Sequence, residues 1–377
     1  MFTISMKKHK ARAVRVQGRA SVVRCPQLRG AFMAVKRAPR LWRWVLLGAG
    51  ACLLGGGLWW VLGQGVGGSE YSGNMIDSGV GAQTAINRHP YTGVPQDLPL
   101  PAPRVAGVMV ENSADAWPLS GVEEAFLVIE APAEADIPRF LAFYSEDQNP
   151  VAKIGPVRSA RAYYVDWASD YGALYAHVGG SPEALAIIRA GESVVDLDQF
   201  FESEYFWRSN DRYAPHNVYT STDLLWAGAD EQGLLAPGGL AEGLFREGEY
   251  YPESPTQEAK VNWTDGVTYD FSWRLLENGL YGRVSLAGSD YQAANVIFVE
   301  TDMSVVDDKG RKDLRTTGTG SALILRAGEA VSAVWTRAES GGWQFKRVDN
   351  QQPVDLVPGK TWIEVLPDGL ESIEIVN

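Results

Sequence analysis

The stretch GPVRSARAYYVDWASDYGALYAHVGGSPEAL (Gly155–Leu185) decides the fold class of this chain. Gly155-Pro156 predicts a helix start, because proline suits the first helical position. That helix is expected to run to about Asp170. ALYAHV (Ala173–Val178) is a short apolar run of strand length. Gly179 and Gly180 then turn the chain. Ser181-Pro182-Glu183 supplies a cap, a proline and a first-turn acid for a second helix. Helix, strand and helix in one short segment point to a layered α/β or α+β fold.

The flanking sequence extends this pattern. VAGVMV (Val105–Val110), Phe126–Ile129 and RFLAFYS (Arg139–Ser145) read as strands, with Gly121–Ala125 as a turn or short helix. Residues 105–227 are therefore expected to form an α/β (or α+β) N-terminal ectodomain. The Gly/Pro clusters LLAPGGLAEGL and YYPESPTQ mark 228–260 as an inter-domain connection. Beyond it, Val267, Tyr269, Phe271 and Trp273 alternate with Thr268, Asp270 and Ser272, the period of a half-buried strand. NVIFVET, SALILRAG, AVSAVWTR, WQFKRV, TWIEVL and SIEIV are further strand candidates, so 261–377 is expected to be mostly β. Trp335, Trp343 and Trp362 there suit a core, or a groove for a glycan or peptide.

Charge divides the 377 residues sharply. Residues 1–43 carry 12 Lys/Arg and no acid, leaving 22 bases against all 46 acids in the remainder. Trp44–Ser69 is uncharged, and 44–63 is apolar enough to span a bilayer as a helix, with Trp42, Trp44, Trp59 and Trp60 at its two ends. The basic flank places 1–43 in the cytoplasm, as an arm, and the rest outside. Met33 is an alternative start. A cleaved signal peptide or lipidation at Cys52 competes with the uncleaved anchor, but Ala49 stands where a lipidation site carries Leu and the apolar run continues past Cys52. Residues 64–104 read as a Gly/Ser-rich then Pro-rich stalk. Cys25 and Cys52 are the only cysteines, so the exported part can form no disulfide. Its acidity argues against nucleic acid as a partner.

Arg158 and Arg161, three apart on the expected helix, share a face and lie near its positive N-terminal end, with Ser159 between them. Two guanidiniums hold carboxylate or phosphate well. They equally suit structural pairing with Glu111, Glu130 or Asp166. Gly179, Gly180 and Ser181 offer backbone N–H groups to an anion, or simply a turn and a helix cap. WRSNDRYAPHNVYTS (Trp207–Ser221) is a polar loop with Arg208, His216 and Asn217. His177 and His216 are candidate general bases, or residues that order their loops. No nucleotide loop, nucleophile elbow, H-x-H or H-E-x-x-H motif is present, so no cofactor or metal is expected.

VAGVMVENSADAWPLSGVEEAFLVIEA, IPRFLAFY, GPVRSAR, HVGGSP and FWRSNDRYAPHNVYTS, followed by GSALILRAGEAVSAVWTRAESGGWQFKRV and PGKTWIEVLP, resemble the YerB-like family of bacterial exported lipoproteins across about residues 89–375. The resemblance implies a two-domain envelope protein. The matching positions include Glu111, Asn112, Glu130, Arg139, Arg158, Ser159, Arg161, His177, Gly179, Gly180, Ser181, Arg208, His216 and Asn217. It implies no catalytic role for any of them.

The expectation is thus a membrane-anchored extracytoplasmic envelope protein. Its ligand would be an anionic peptide carboxylate, phosphate or glycopolymer, held among the Arg158/Arg161 helix, the His177–Gly180 turn and the Arg208–His216 loop, with Glu111, Asn112 and Arg139 nearby. The alternatives are an envelope hydrolase or transferase with His177 or His216 as base, and a structural protein that binds an envelope partner.

Overall fold

A computed structural model describes residues 87–377 except 98–100, 192, 237–244, 246–251, 265–266 and 289. The expected arm (1–43) and anchor (44–63) lie outside them. Among the described residues, no helix is long and apolar enough to cross a membrane. Residues 87–104, expected as the end of a stalk, begin with a hairpin of Asn87–Arg88 and Pro95–Gln96, and the Tyr91 ring stacks on Phe126 at 5.1 Å.

The N-terminal region builds its strands where apolar runs occur: β1 (Val105–Glu111), β2 (Leu127–Pro132), β3 (Pro138–Ser145), β4 (Leu174–His177) and β5 (Val195–Asp198). Every residue of β1 to β4 is buried, because both faces of the sheet are covered. On one face lie α1 (Ala162–Ser169) and α2 (Pro182–Ala190), packed through Tyr163, Tyr164, Trp167, Ala184 and Ile188. α3 (Thr222–Gln232) packs on the other through Leu225 and Ala229. Ser181 caps α2 as expected, its hydroxyl accepting from the Ala184 N–H at 3.2 Å.

The helix expected from Pro156 starts six residues late. Gly155–Ala160 is extended, the Gly155–Pro156 peptide is cis, and Arg161 is only the residue before α1. The backbone of this segment is paired sideways to four other segments, which removes it from any i to i−4 ladder. Glycine is required at 155: φ is +141°, and a Cβ would lie 2.8 Å from the Val157 nitrogen and 2.9 Å from the Val218 carbonyl.

The C-terminal region is mostly β: β6 (Glu258–Val261), β7 (Phe271–Leu275), β8 (Tyr281–Ser285), β9 (Gln292–Ala293), β10 (Asn295–Val299), β11 (Gly318–Arg326), β12 (Glu329–Arg337), β13 (Gln344–Arg347), β14 (Thr361–Val365) and β15 (Ile373–Val376). The alternation in VTYDFSW is a strand only from Phe271. Phe271 and Trp273 are buried, whereas Val267 is exposed in a loop. Trp335 and Trp362 are core, and Trp343 packs its ring 5.3 Å from Trp167.

These strands form two sheets. One has the order β9-β8-β7-β6-β15 and covers the α3 face of the main sheet through Trp263, Trp273 and Tyr281. The others extend the main sheet itself, in the order β13-β12-β11-β10-β14-β2-β3-β1-β4-β5. The α/β region and the mostly-β region are therefore joined by a parallel pair, β14 beside β2, which places Glu364 opposite Glu130.

Candidate functional site

Strands β1, β4 and β5 are mutually parallel, so Glu111, His177 and Asp198 end at one edge of the sheet. In open α/β sheets, this carboxyl edge is where ligands bind. GPVRSAR runs along it as an organising strip. The Glu111 N–H donates to the Pro156 carbonyl and the Arg158 N–H to Met109. Val178 donates to the Arg158 carbonyl, and Ala160 and Gly179 pair likewise. Val157 donates to the Val218 carbonyl, and Ile154 exchanges bonds with Thr220. The three segments picked out in the sequence thus meet through their backbones.

Their side chains divide. The Arg158 Nε contacts Glu111 Oε2, and the same oxygen lies 3.6 Å from His216 Nδ1. The Glu111 side chain is 3% exposed, against 25% for Arg158 and 22% for His216. The carboxylate is the buried base of the cluster, and Arg158 and His216 are its partly exposed members. Arg208 is exposed and donates to the Asn217 side-chain oxygen at 3.0 Å and to Gln199 at 3.3 Å, both neutral acceptors. Arg212 donates to the carbonyls of Ala116 and Pro118. Phe200, Phe201 and Tyr213 stand exposed along the same edge, Tyr213 at 94%. The Phe200 ring lies where a Cβ on Gly179 would be, 2.9 Å away, so that glycine admits the ring.

Arg161 turns away from Arg158. It is buried, contacting Glu134 and donating to the Ala160 carbonyl at 2.6 Å. Arg139 reaches the same Glu134 at 3.3 Å and donates to the Ser159 carbonyl at 3.0 Å. Burial raises the Glu134 carboxyl, but Arg139 and Arg161 together outweigh it and hold it below its usual value. Burial, then Arg139, pulls Arg161 down. This is a buried brace, and the shared helix face expected for the two arginines does not exist. His177 is fully buried, with Nδ1 2.8 Å from the Gly179 carbonyl and Nε2 2.9 Å from Asp196. Both ring nitrogens are engaged, so it has none to offer a substrate. The Gly179 N–H, considered as an anion donor, already bonds to Asp198 at 2.9 Å, and Ser181 caps its helix.

Asn112 follows Glu111 on the chain but points to the opposite face. It donates to Glu130 at 2.9 Å and accepts from the Trp117 indole at 2.8 Å. There, at the seam of the two sheets, Arg283 of β8 contacts Glu130 and lies 3.4 Å from Glu364. Both carboxylates are fully buried. The guanidinium sits over the Phe271 ring at 3.9 Å, and the Trp273 indole donates to Glu364 at 2.9 Å. Burial, then Glu130, pushes the Glu364 carboxyl well above its usual range, although Arg283 opposes the shift. Burial alone would lower Arg283, and the two acids more than compensate. Above this cluster lies a small surface depression lined by Asn112, Trp117, Phe140, Tyr269 and Arg283. The sequence reading missed Arg283, Glu364 and Trp117. The available signal was one acid inside each of the apolar runs LVIEA and TWIEV.

Among the described residues, no group of three His, Cys, Asp or Glu is placed to hold a metal ion. The family described as "Protein of unknown function (DUF3048)" matches the chain twice, its N-terminal domain at residues 91–235 and its C-terminal domain at 259–363. "Putative lipoprotein YerB" of Bacillus subtilis (strain 168) is 29% identical over 289 residues, covering 74% of this chain and 86% of that one. The crystal structure of YerB protein from Bacillus subtilis superposes with a TM-score of 0.67 at 28% identity, covering 77% of this chain and 99% of that chain.

Proposed function

We propose a function for this chain, which belongs to the DUF3048 family: it is an extracytoplasmic, membrane-anchored envelope protein that holds an anionic group at the carboxyl edge of its main sheet. The lipoprotein name of its Bacillus subtilis relative and the uncharged stretch at 44–69 support the location. The observation that carries the binding role is the partly exposed pair Arg158 and His216 over the single buried carboxylate of Glu111. Arg208 and Arg212 extend this cationic edge with only neutral oxygen partners. A phosphate or carboxylate would find guanidinium donors there with free approach from solvent.

Calorimetric titration of the full chain with pyrophosphate and with N-acetyl-dialanine tests the reading. Binding of either, lost in Arg158→Ala and kept in Arg161→Ala, supports it. Equal binding by wild type and Arg158→Ala overturns it.

One contact favours a second reading. Glu111 behind His216 resembles the acid that orients a general base, although 3.6 Å is longer than a hydrogen bond. Turnover of envelope fragments that is abolished in His216→Gln would identify that role, and an active His216→Gln would exclude it.

A further inference from the structure

Phe200, Phe201 and Tyr213, on two loops of the carboxyl edge, are 65%, 74% and 94% exposed. Single exposed apolar residues are ordinary, but three such rings at one edge mark a surface that meets something. The two Phe rings are held in place. The Phe201 and Glu202 N–H groups both donate to the Asp198 carbonyl at 2.9 Å. The Phe200 N–H donates to the Asp198 carboxylate at 3.1 Å, and the Gly179 N–H donates to the same oxygen at 2.9 Å. Asp198 is buried at the end of β5, so the turn is fixed to the sheet. Tyr213 stands in the loop between the paired segments Trp207–Arg208 and Val218–Tyr219. Arg208 links the two loops, through Gln199 beside Phe200 and Asn217 beside His216.

Shape and charge indicate what this edge fits. A ring exposed to that extent touches little of its own protein, so it projects from the surface and lines no pocket. A rigid partner would need a hollow for each ring, whereas a fluid interface closes around all of them. Phe and Tyr beside arginine are the side chains that favour the headgroup layer of a bilayer. The same loops also carry Glu202, Glu204 and Asp211, so the edge presents both signs. Residues 44–377 hold 46 acids against 22 bases, which counts against a strongly anionic surface. A zwitterionic headgroup layer offers phosphate to the arginines and ammonium to the acids.

The bilayer is also within reach. Residues 64–86 separate the uncharged stretch at 44–63 from the described chain, and they span at most about 80 Å when fully extended. A short tether gives a patch an effective concentration of about a millimolar at its target. Three rings then suffice where they would bind too weakly from free solution.

We infer that the carboxyl edge lies on the bilayer, with Phe200, Phe201 and Tyr213 entering the interface and lipid phosphate as the anion held by Arg158 and Arg208. This rests on the anchored, anion-binding reading above and names its ligand, a zwitterionic phospholipid headgroup.

Labelling the full chain in phosphatidylethanolamine–phosphatidylcholine vesicles with a membrane-impermeant maleimide tests this. Ser203→Cys puts a thiol at an exposed position beside the turn. Val348→Cys puts one just past β13, at the opposite end of the main sheet from β5. Mass spectrometry reads each position separately from Cys25 and Cys52. Ser203→Cys is expected to label about fivefold more slowly than the same variant carrying Phe200→Ser and Phe201→Ser. Val348→Cys should label at one rate in both backgrounds. Tyr213→Ser removes almost no packing and should recover part of the rate at position 203. Phosphatidylglycerol vesicles should protect less. Equal rates at 203 with and without the rings, or stronger protection on phosphatidylglycerol, overturns the inference. Protection that rises with the protein-to-lipid ratio means that a second copy covers the rings, and overturns it too. A chain that does not float with the vesicles overturns the anchored reading and the docking with it. A chain that floats yet stays reactive at 203 overturns the docking alone.

Discussion

Glu111 and Asn112 are neighbours on the chain and serve opposite surroundings. Glu111 faces the edge, where Arg158 and His216 remain in touch with water. Asn112 faces the seam, where Arg283 is closed in by rings and two acids. Each site pairs arginine with glutamate, yet the two cannot be equivalent. At the edge only the carboxylate is buried, and the partly solvated guanidinium can exchange that partner for water or a ligand. A fully buried one cannot lose a member without stranding a charge. Arginine at the edge is therefore free to bind something else, whereas at the seam it is committed to holding two regions of the molecule together.

The largest expected effect tests that commitment. Arg283→Ala leaves Glu130 and Glu364 buried without their cation and should destabilise the fold by about 3–5 kcal/mol in urea unfolding. Replacing the cluster as a whole, with Arg283→Met, Glu130→Gln and Glu364→Gln together, should recover much of that loss. If Arg283→Ala unfolds like wild type, the seam does not depend on the ion cluster.

Arg161→Ala is expected to come next, at about 1–3 kcal/mol, because it removes a buried partner of Glu134 while Arg139 remains. A near-neutral result would place Arg161 with the edge rather than with the brace.

The third effect depends on pH. The folded-state pKa of Glu364 lies above its usual 4.5, so above that pH the unfolded chain has released a proton that the folded chain retains. Stability from this group is therefore greatest below pH 4.5 and falls as pH rises, at up to about 1.4 kcal/mol per unit, until the folded carboxyl itself ionises. Glu364→Gln removes that slope. Melting curves should show the stability of Glu364→Gln minus that of wild type growing from pH 5 to pH 8. A constant difference would mean that Glu364 is ionised in the folded protein.

Arg158→Ala should have the smallest effect on stability, about 1–2 kcal/mol, since the guanidinium is partly solvated and the buried Glu111 carboxylate still accepts from the Ser113 N–H at 3.2 Å. Its consequence belongs to anion binding. A loss as large as that of Arg283→Ala would erase the distinction between edge and seam.

Strand positions were legible wherever a run of apolar residues reached four or more, as in β1, β3 and β10. So was the Ser181 cap, because each signal lies within a few residues of its effect. The helix expected at Pro156 was misplaced because Val157–Ala160 bonds to segments remote in sequence, and no local pattern encodes that. Site chemistry divided in the same way. Arg158, His216 and Glu111 were all marked as candidates and do meet, yet Arg161 and His177, marked for similar reasons, are buried in other bonds.

By itself, then, the sequence determined the order of elements, the α/β-then-β character, the acidity of residues 44–377 and the family pattern. All of these are properties of composition and short-range spacing. Only the tertiary structure decided which arginine faces water and which is enclosed, and that β14 lies beside β2 so that Glu364 meets Glu130. A side chain's surroundings come from strands paired across the whole length of the chain. Burial, rather than residue type, then decides whether a charge is available to a ligand or bound into the core.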